Sequence, residues 1–205
     1  MTTAPAPLQV SLFGTGEPTI DPSFAGIERT ELAHGAWIER LPGWLHGEQT
    51  VFDDIVGSTT WHANRRPMYD RMVDVPRLTA SLPRDGPGHP VLDDIVAALA
   101  ARTSEPCGRI GLAWYRDGHD SVAPHGDQIA RNMGTTTMAI VSCGARRRFN
   151  LTPVAGGGGL SFDLGHGDLL IMGGTIQRTW RHGVAKTNRA VGPRLSMMLR
   201  PPWLG

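Results

Sequence analysis

Two tripeptides of this 205-residue chain, His125-Gly126-Asp127 and His166-Gly167-Asp168, set an imidazole beside a carboxylate. In an extended chain residues i and i+2 project to the same side, so either pair could converge on one metal ion. The intervening glycine lets the backbone bend close to that ion. One distant histidine would complete a facial set of two imidazoles and one carboxylate, which leaves positions open on iron for substrate and oxygen. Spacing alone does not choose between the copies. The second follows Gly165 and runs straight into apolar Leu169 to Met172, which predicts a hairpin turn with Asp168 exposed. The pattern therefore favours the first. His182, in the strand-like stretch Arg178 to Gly183, is the natural third ligand, although a lone histidine is more often a hydrogen-bonded core residue. His119 is a rival, but it lies in the turn Asp117-Gly118-His119-Asp120 and is expected to be solvated.

A second group of residues could hold an anion. In Arg194-Leu195-Ser196-Met197-Met198-Leu199-Arg200, one period-2 face carries Arg194, Ser196, Met198 and Arg200. A buried arginine needs a partner, and its planar fork fits a carboxylate through two hydrogen bonds. Residues 128–205 hold only two acids, Asp163 and Asp168. That scarcity points to an external carboxylate, with solvated arginines on an edge strand as the alternative. Tyr115 ends an apolar run ten residues before His125 and could donate to the same carboxylate; a plain core tyrosine is the other reading.

The elements that must position these residues follow from periodicity. Asp21-Pro22 predicts a helix start. Val51, Phe52, Ile55 and Val56 recur at helical spacing, with Gly57 as the expected stop. Pro90 opens a second helix whose stripe is Val91, Leu92, Ile95, Val96 and Leu99. Between them, Trp61 to Pro90 reads as irregular loops and short strands, a length that is usually functional or disordered. Beyond residue 108 the period changes. Arg109 to Arg116, Thr136 to Cys143, Arg147 to Leu151, Leu160 to Phe162, Asp168 to Met172, Thr179 to His182 and Arg194 to Arg200 read as short strands punctuated by Gly, Pro and Asp. Such a series predicts a sandwich, barrel or jelly roll. Gly156 to Gly159 predicts a surface loop.

Composition narrows the classes. Twenty Lys plus Arg stand against nineteen Asp plus Glu, so a strongly basic arm or an acidic disordered tail is excluded. No apolar run approaches the ~18 residues of a membrane span. Met1 to Pro7 lacks the basic and apolar blocks of a signal peptide, so a cytoplasmic protein is expected, with no membrane partner. Cys107 and Cys143 are expected as buried thiols. The charge is uneven, however. Residues 1–127 hold seventeen acids and ten bases, a net of −7; residues 128–205 hold two acids and ten bases, a net of +8. A basic C-terminal part could meet an anionic partner, or the two halves could neutralise each other on folding.

The order of the pieces resembles a known family. A Tyr-x-Asp-Gly-x-Asp-Ser turn leads to His125-Gly126-Asp127. Then come an apolar strand ending Ser-x-Gly-Ala, basic residues with Phe149, Leu-x-His-Gly-Asp-Leu-Leu-x-Met, Trp-x-His, and Pro-Arg-x-Ser with a trailing Arg. This resembles the AlkB family of iron(II) and 2-oxoglutarate-dependent dioxygenases, of the bacterial alkylated-DNA repair type, from about Arg109 to Pro201. Weaker similarity reaches back through Arg65 to Arg77. The resemblance implies a mainly β fold with flanking helices, a double-stranded β-helix or jelly roll with an N-terminal helical lid. It divides the chain into a loose extension (1–20), a helical and nucleotide-recognition lid region (21–105) and a catalytic core (106–205). It implies His125, Asp127 and His182 as Fe(II) ligands and puts His166 in a turn. It also implies Arg194, with Tyr115, on the distal carboxylate of 2-oxoglutarate, and Ser196 and Arg200 bordering that site.

The implied reaction consumes 2-oxoglutarate and O2, releases succinate and carbon dioxide, and hydroxylates an N-alkyl carbon on a damaged base; the hemiaminal then collapses to free base and aldehyde. A duplex base must be flipped out to react, at roughly a few kcal/mol. Tyr69 or Trp61 could stack on it, and Arg146, Arg147 and Arg148 could clamp phosphates. The implied partner is DNA with alkylated bases, or RNA, and the chain is expected to act as a monomer. Two departures stand out. Ala113 occupies the place of an asparagine that contacts the cosubstrate in many members, and Ile129 the place of an acid used in base recognition. An oxygenase of RNA, a protein or a small molecule, and a jelly-roll metal-binding module without turnover, are the alternatives.

Overall fold

The computed structural model describes residues 14–68, 71–82, 89–127 and 133–202. In chain order the elements are β1 (Thr19–Ile20), β2 (Glu28–Glu31), a 3-10 turn (Ala33–Gly35), β3 (Ala36–Leu41), β4 (Leu45–His46), α1 (Glu48–Ser58), β5 (His62–Met68), β6 (Arg71–Leu82) and α2 (Val91–Thr103). There follow β7 (Ile110–Tyr115), β8 (Val122–His125), β9 (Met138–Gly144), β10 (Arg147–Pro153), β11 (Leu160–Leu164), β12 (Asp168–Gly174), the short α3 (Ile176–Thr179), β13 (Trp180–Val184) and β14 (Arg194–Leu199).

These strands build a double-stranded β-helix, the jelly roll. An eight-stranded sheet runs β2-β3-β12-β9-β14-β7-β6-β5, and a four-stranded sheet runs β11-β10-β13-β8. Alternation sorts the side chains. On β12, Leu170 and Met172 point between the sheets, where they meet Ile140, Phe149, Leu151 and Trp180. Leu169 and Ile171 point outward and are covered, with Val141 and Met197, by the stripes of α1 (Val51, Phe52, Ile55) and α2 (Val91, Leu92, Ile95, Leu99). Central strands buried on both faces must read as continuous apolar runs, which is why β9 and β12 are legible in the sequence. Each fully buried aliphatic side chain contributes about 1.5–3 kcal/mol.

Several expectations need correction. Asp21-Pro22 starts no helix. It forms a tight turn in which Phe24 N–H donates to Asp21 O (3.2 Å) and Ser23 N–H to Asp21 Oδ1 (2.9 Å). Gly57 lies inside α1, which ends at Ser58. The stretch read as irregular between the helices contains a long hairpin, β5 with β6. Residues 21–105 are thus not only helical: β2, β3, β5 and β6 are strands of the large sheet, and β3 pairs along β12 from Ala36↔Gly174 to Leu41↔Leu169. Of the expected N-terminal extension, Thr19–Ile20 forms β1 and pairs with β4.

Candidate active site

β8 ends at His125, and across the ladder His182 on β13 is its register partner. Their rings lie 4.4 Å apart, and the donor atoms of His125, Asp127 and His182 lie within 4.8 Å of one another. His125 Nδ1 lies 2.9 Å from Ala123 O. A carbonyl only accepts, so Nδ1 carries the proton and Nε2 keeps its lone pair for a ligand bond. Burial first, and His125 second, push the His182 imidazole down to about 3, so it is neutral at physiological pH. Phe149 stacks on it with ring centroids 5.9 Å apart.

The turn between the two chain-neighbouring donors is held by α3. A Cβ at Gly126 would run into the Gln177 carbonyl, so only glycine fits. Buried Gln177 also accepts Asp127 N–H at its Oε1 (2.9 Å). Gln177 lies fifty residues from Asp127, and no local pattern marks it.

The second His-Gly-Asp does different work. Asp168 is buried, not exposed as expected, because its Oδ1 accepts Gly43 N–H (2.9 Å) and its Oδ2 accepts Gly165 N–H (3.2 Å). Burial raises its pKa despite those two donors. His166 has φ 47° in the turn and faces Glu48 at 3.5 Å.

Arg194 is 1 % exposed at the start of β14. Its Nη2 donates to Ser142 Oγ (2.7 Å), while Nε and Nη1 have no partner. A buried guanidinium with unmet donors is costly, and a carboxylate is the group that would meet them. Tyr115 lies across from it in the β7–β14 register, its ring 5.4 Å from the Arg194 Cζ. Burial lowers the Arg194 pKa, with Tyr115 opposing. Just past the strand, Arg200 Nε lies 2.9 Å from Asp127 Oδ2. The angle is not that of a hydrogen bond, so the contact is electrostatic and both atoms keep hydrogen-bonding capacity. Arg194, Ser196, Met198 and Arg200 all line one cavity of about 330 Å³, together with Tyr115, His125, Phe149 and His182. The period-2 face read from the sequence is the wall of this cavity.

Of the other residues singled out for substrate, those described lie elsewhere. Trp61 packs on Trp114 (5.3 Å) on the helix-covered face of the large sheet and donates Nε1–H to Val56 O. Arg147 is buried, and its guanidinium donates to the carbonyls of Asp117, Asp120 and Ala185 at 2.6–2.9 Å. It is therefore a structural tie and cannot clamp phosphate. Arg148 pairs with Asp163 across the β10–β11 ladder (3.2 Å), and exposed Arg146 does not line the cavity. Tyr69 and Ile129 lie outside the described residues. Sequence reading missed Arg77, Thr79 and Ser81 on β6, and Arg109 just before β7, which line the cavity. The alternation Arg77-Leu78-Thr79-Ala80-Ser81-Leu82 was the available signal.

Two imidazoles and a carboxylate with open positions suit Fe(II), and the unmet donors of Arg194 suit the carboxylate of an oxo-acid. A profile of the 2OG-Fe(II) oxygenase superfamily matches residues 82–200, and the chain belongs to that superfamily. Alpha-ketoglutarate-dependent dioxygenase alkB homolog 3 of Bos taurus is 26% identical over 218 residues, covering 96% of this chain and 73% of the relative; the Mus musculus protein is 27% identical over the same shares. Among solved structures, "The structure of OsALKBH1" matches with TM-score 0.56 and 15% identity over 85% of this chain and 100% of that one. A prolyl hydroxylase from Trichoplax adhaerens, in complex with a hypoxia inducible factor oxygen degradation domain peptide fragment, matches with TM-score 0.60 and 14% identity over 82% and 83%. The two structures attest the fold. Within the superfamily the chain is a dioxygenase of the AlkB type, which uses Fe(II), 2-oxoglutarate and O2. No helix among the described residues is long and apolar enough to cross a membrane.

Proposed function

We propose that this dioxygenase removes alkyl groups from the nitrogen atoms of DNA bases by oxidising the carbon attached to nitrogen. The observation that supports it best is the cavity. Its volume, about 330 Å³, is at the small end for ligand pockets. That suits a short dicarboxylate and one planar base extruded from the helix. The long hairpin of β5 and β6 forms one edge of the large sheet beside it, and β6 supplies part of its wall. In this reading the hairpin is the nucleotide-recognition lid over the catalytic core, and Tyr69, between its strands, is the base-stacking residue suggested by resemblance.

The site residues then have distinct tasks. His125 Nε2, His182 and Asp127 hold iron. Arg194, with Tyr115 and Ser196 beside it, takes the distal carboxylate of 2-oxoglutarate. Arg200 steadies the second oxygen of Asp127. When bound, iron and 2-oxoglutarate supply the activation of O2 that oxidises a C–H bond, with succinate and carbon dioxide released. The protein's own work is to position and to exclude water: Arg194 and Phe149 are buried in the cavity wall, and half-buried Met198 lines it beside them.

The test uses the iron-loaded protein with 2-oxoglutarate and oligonucleotides that each carry one methylated or etheno-bridged base. The expected result is aldehyde released in step with restored base and succinate. Succinate formation with no base restored across the panel would overturn the proposal.

A further inference from the structure

We infer that the base this cavity takes is uncharged, and that Arg109 and Arg77 enforce that choice. The inference rests on the DNA reading above and narrows its substrate class. Four guanidiniums line the cavity, those of Arg77, Arg109, Arg194 and Arg200. Among the described residues no carboxylate lines it, and Asp127 is already paired with Arg200. Among the described residues Arg77 and Arg109 have no acidic partner.

With iron and 2-oxoglutarate in place, a dication and a dianion cancel. Four arginines against Asp127 then leave a surplus of three positive charges around the reacting position. Low-dielectric walls strengthen such a field. A ring-methylated base with a fixed positive charge enters against it. A neutral one does not, and its carbonyl oxygen can accept from the guanidiniums and from the Ser81 hydroxyl on the same wall. Half-buried Arg77 lies along β6, and exposed Arg109 lies at the rim, so the discrimination begins where the base enters.

Matched lesions isolate charge from shape. N3-methylcytosine and 1-methyladenine are cations at neutral pH; N3-methylthymine and 1-methylguanine carry the same methyl group on the same edge and are neutral. Each is placed in one oligonucleotide sequence, and kcat/KM is measured with the iron-loaded enzyme. We expect the neutral member of both pairs to be favoured by about tenfold or more, the effect of one unit charge near 10 Å at intermediate dielectric. Arg109→Glu should move the neutral-to-cation ratio about tenfold or more toward the cation, and Arg109→Gln by a smaller factor in the same direction. Ratios within one variant cancel any general loss of DNA binding. A cation handled as well as its neutral partner in either pair, or a ratio unmoved by both Arg109 variants, overturns the inference while leaving the DNA reading intact. If no lesion in the panel is repaired although 2-oxoglutarate is still consumed, the DNA reading fails and takes this inference with it.

Discussion

Arg200 Nε lies 2.9 Å from Asp127 Oδ2, so a cation just past the last strand holds a carboxylate that the turn after β8 presents beside two histidines. In the proposed site the contact holds one oxygen of Asp127 and leaves the other free to bind the metal. Groups that orient a ligand this way typically matter by 10–100-fold in metal affinity. Arg200→Ala should therefore weaken Fe(II) binding by roughly that factor, read by titration under anaerobic conditions, with the fold unchanged by circular dichroism. Unaltered affinity would show that Asp127 needs no such support.

The two His-Gly-Asp copies should respond differently to the same change. Asp127→Ala is expected to abolish metal binding and turnover. Asp168→Ala should leave the metal in place yet destabilise the fold by about 1–3 kcal/mol, because the N–H groups of Gly43 and Gly165 lose their acceptor. Denaturant melts and metal titration of both variants check this. A metal loss in Asp168→Ala with stability intact would assign the site to the other copy.

Arg194→Lys keeps the charge but loses the planar fork and the hydrogen bond geometry to Ser142. The KM for 2-oxoglutarate should rise by about tenfold or more. Steady-state kinetics with varied cosubstrate decide it, and an unchanged KM removes Arg194 from the cosubstrate site.

Acid should loosen the turn that precedes His125. Burial alone would raise the Asp120 pKa, but hydrogen bonds from the Arg116 side chain and backbone N–H outweigh it and hold it below the usual 3.8. A depressed carboxylate stabilises the fold fully above its unfolded value and loses that contribution as pH falls through the folded one. Wild-type stability should thus decline below about pH 4, and Asp120→Asn should be less stable at pH 7 but flatter across that acid range. Parallel declines in the two proteins would contradict the assignment.

Sequence and structure agree where information is local. The strands from β7 onward, β8 excepted, are bounded by Gly, Pro and Asp, with β9 and β12 as continuous apolar runs, and the stripes of α1 and α2 recur every three or four residues. β14 was legible down to the face that lines the cavity, since Arg194, Ser196 and Arg200 share one parity. What escaped depends on distant partners. Asp168 looks like a turn acid until Gly43, 125 residues earlier, donates to it. Arg147 looks like one of three surface cations until the carbonyls of Asp117, Asp120 and Ala185 surround it. β5 and β6 contain Pro67 and Pro76 and several arginines, which disguises a hairpin as loop.

The pairing of β3 along β12 bears on how the molecule can be cut. The superfamily profile begins at residue 82, yet six residues of β12 take their outer hydrogen bonds from Ala36–Leu41, encoded far upstream. A fragment starting after α2 would keep every proposed iron ligand and still bare the backbone of a largely apolar strand, an open edge that recruits other chains. Catalytic residues and autonomous folding are therefore drawn on different maps of this gene product. Shuffling the C-terminal half onto another lid would transplant chemistry without the strand that covers this edge.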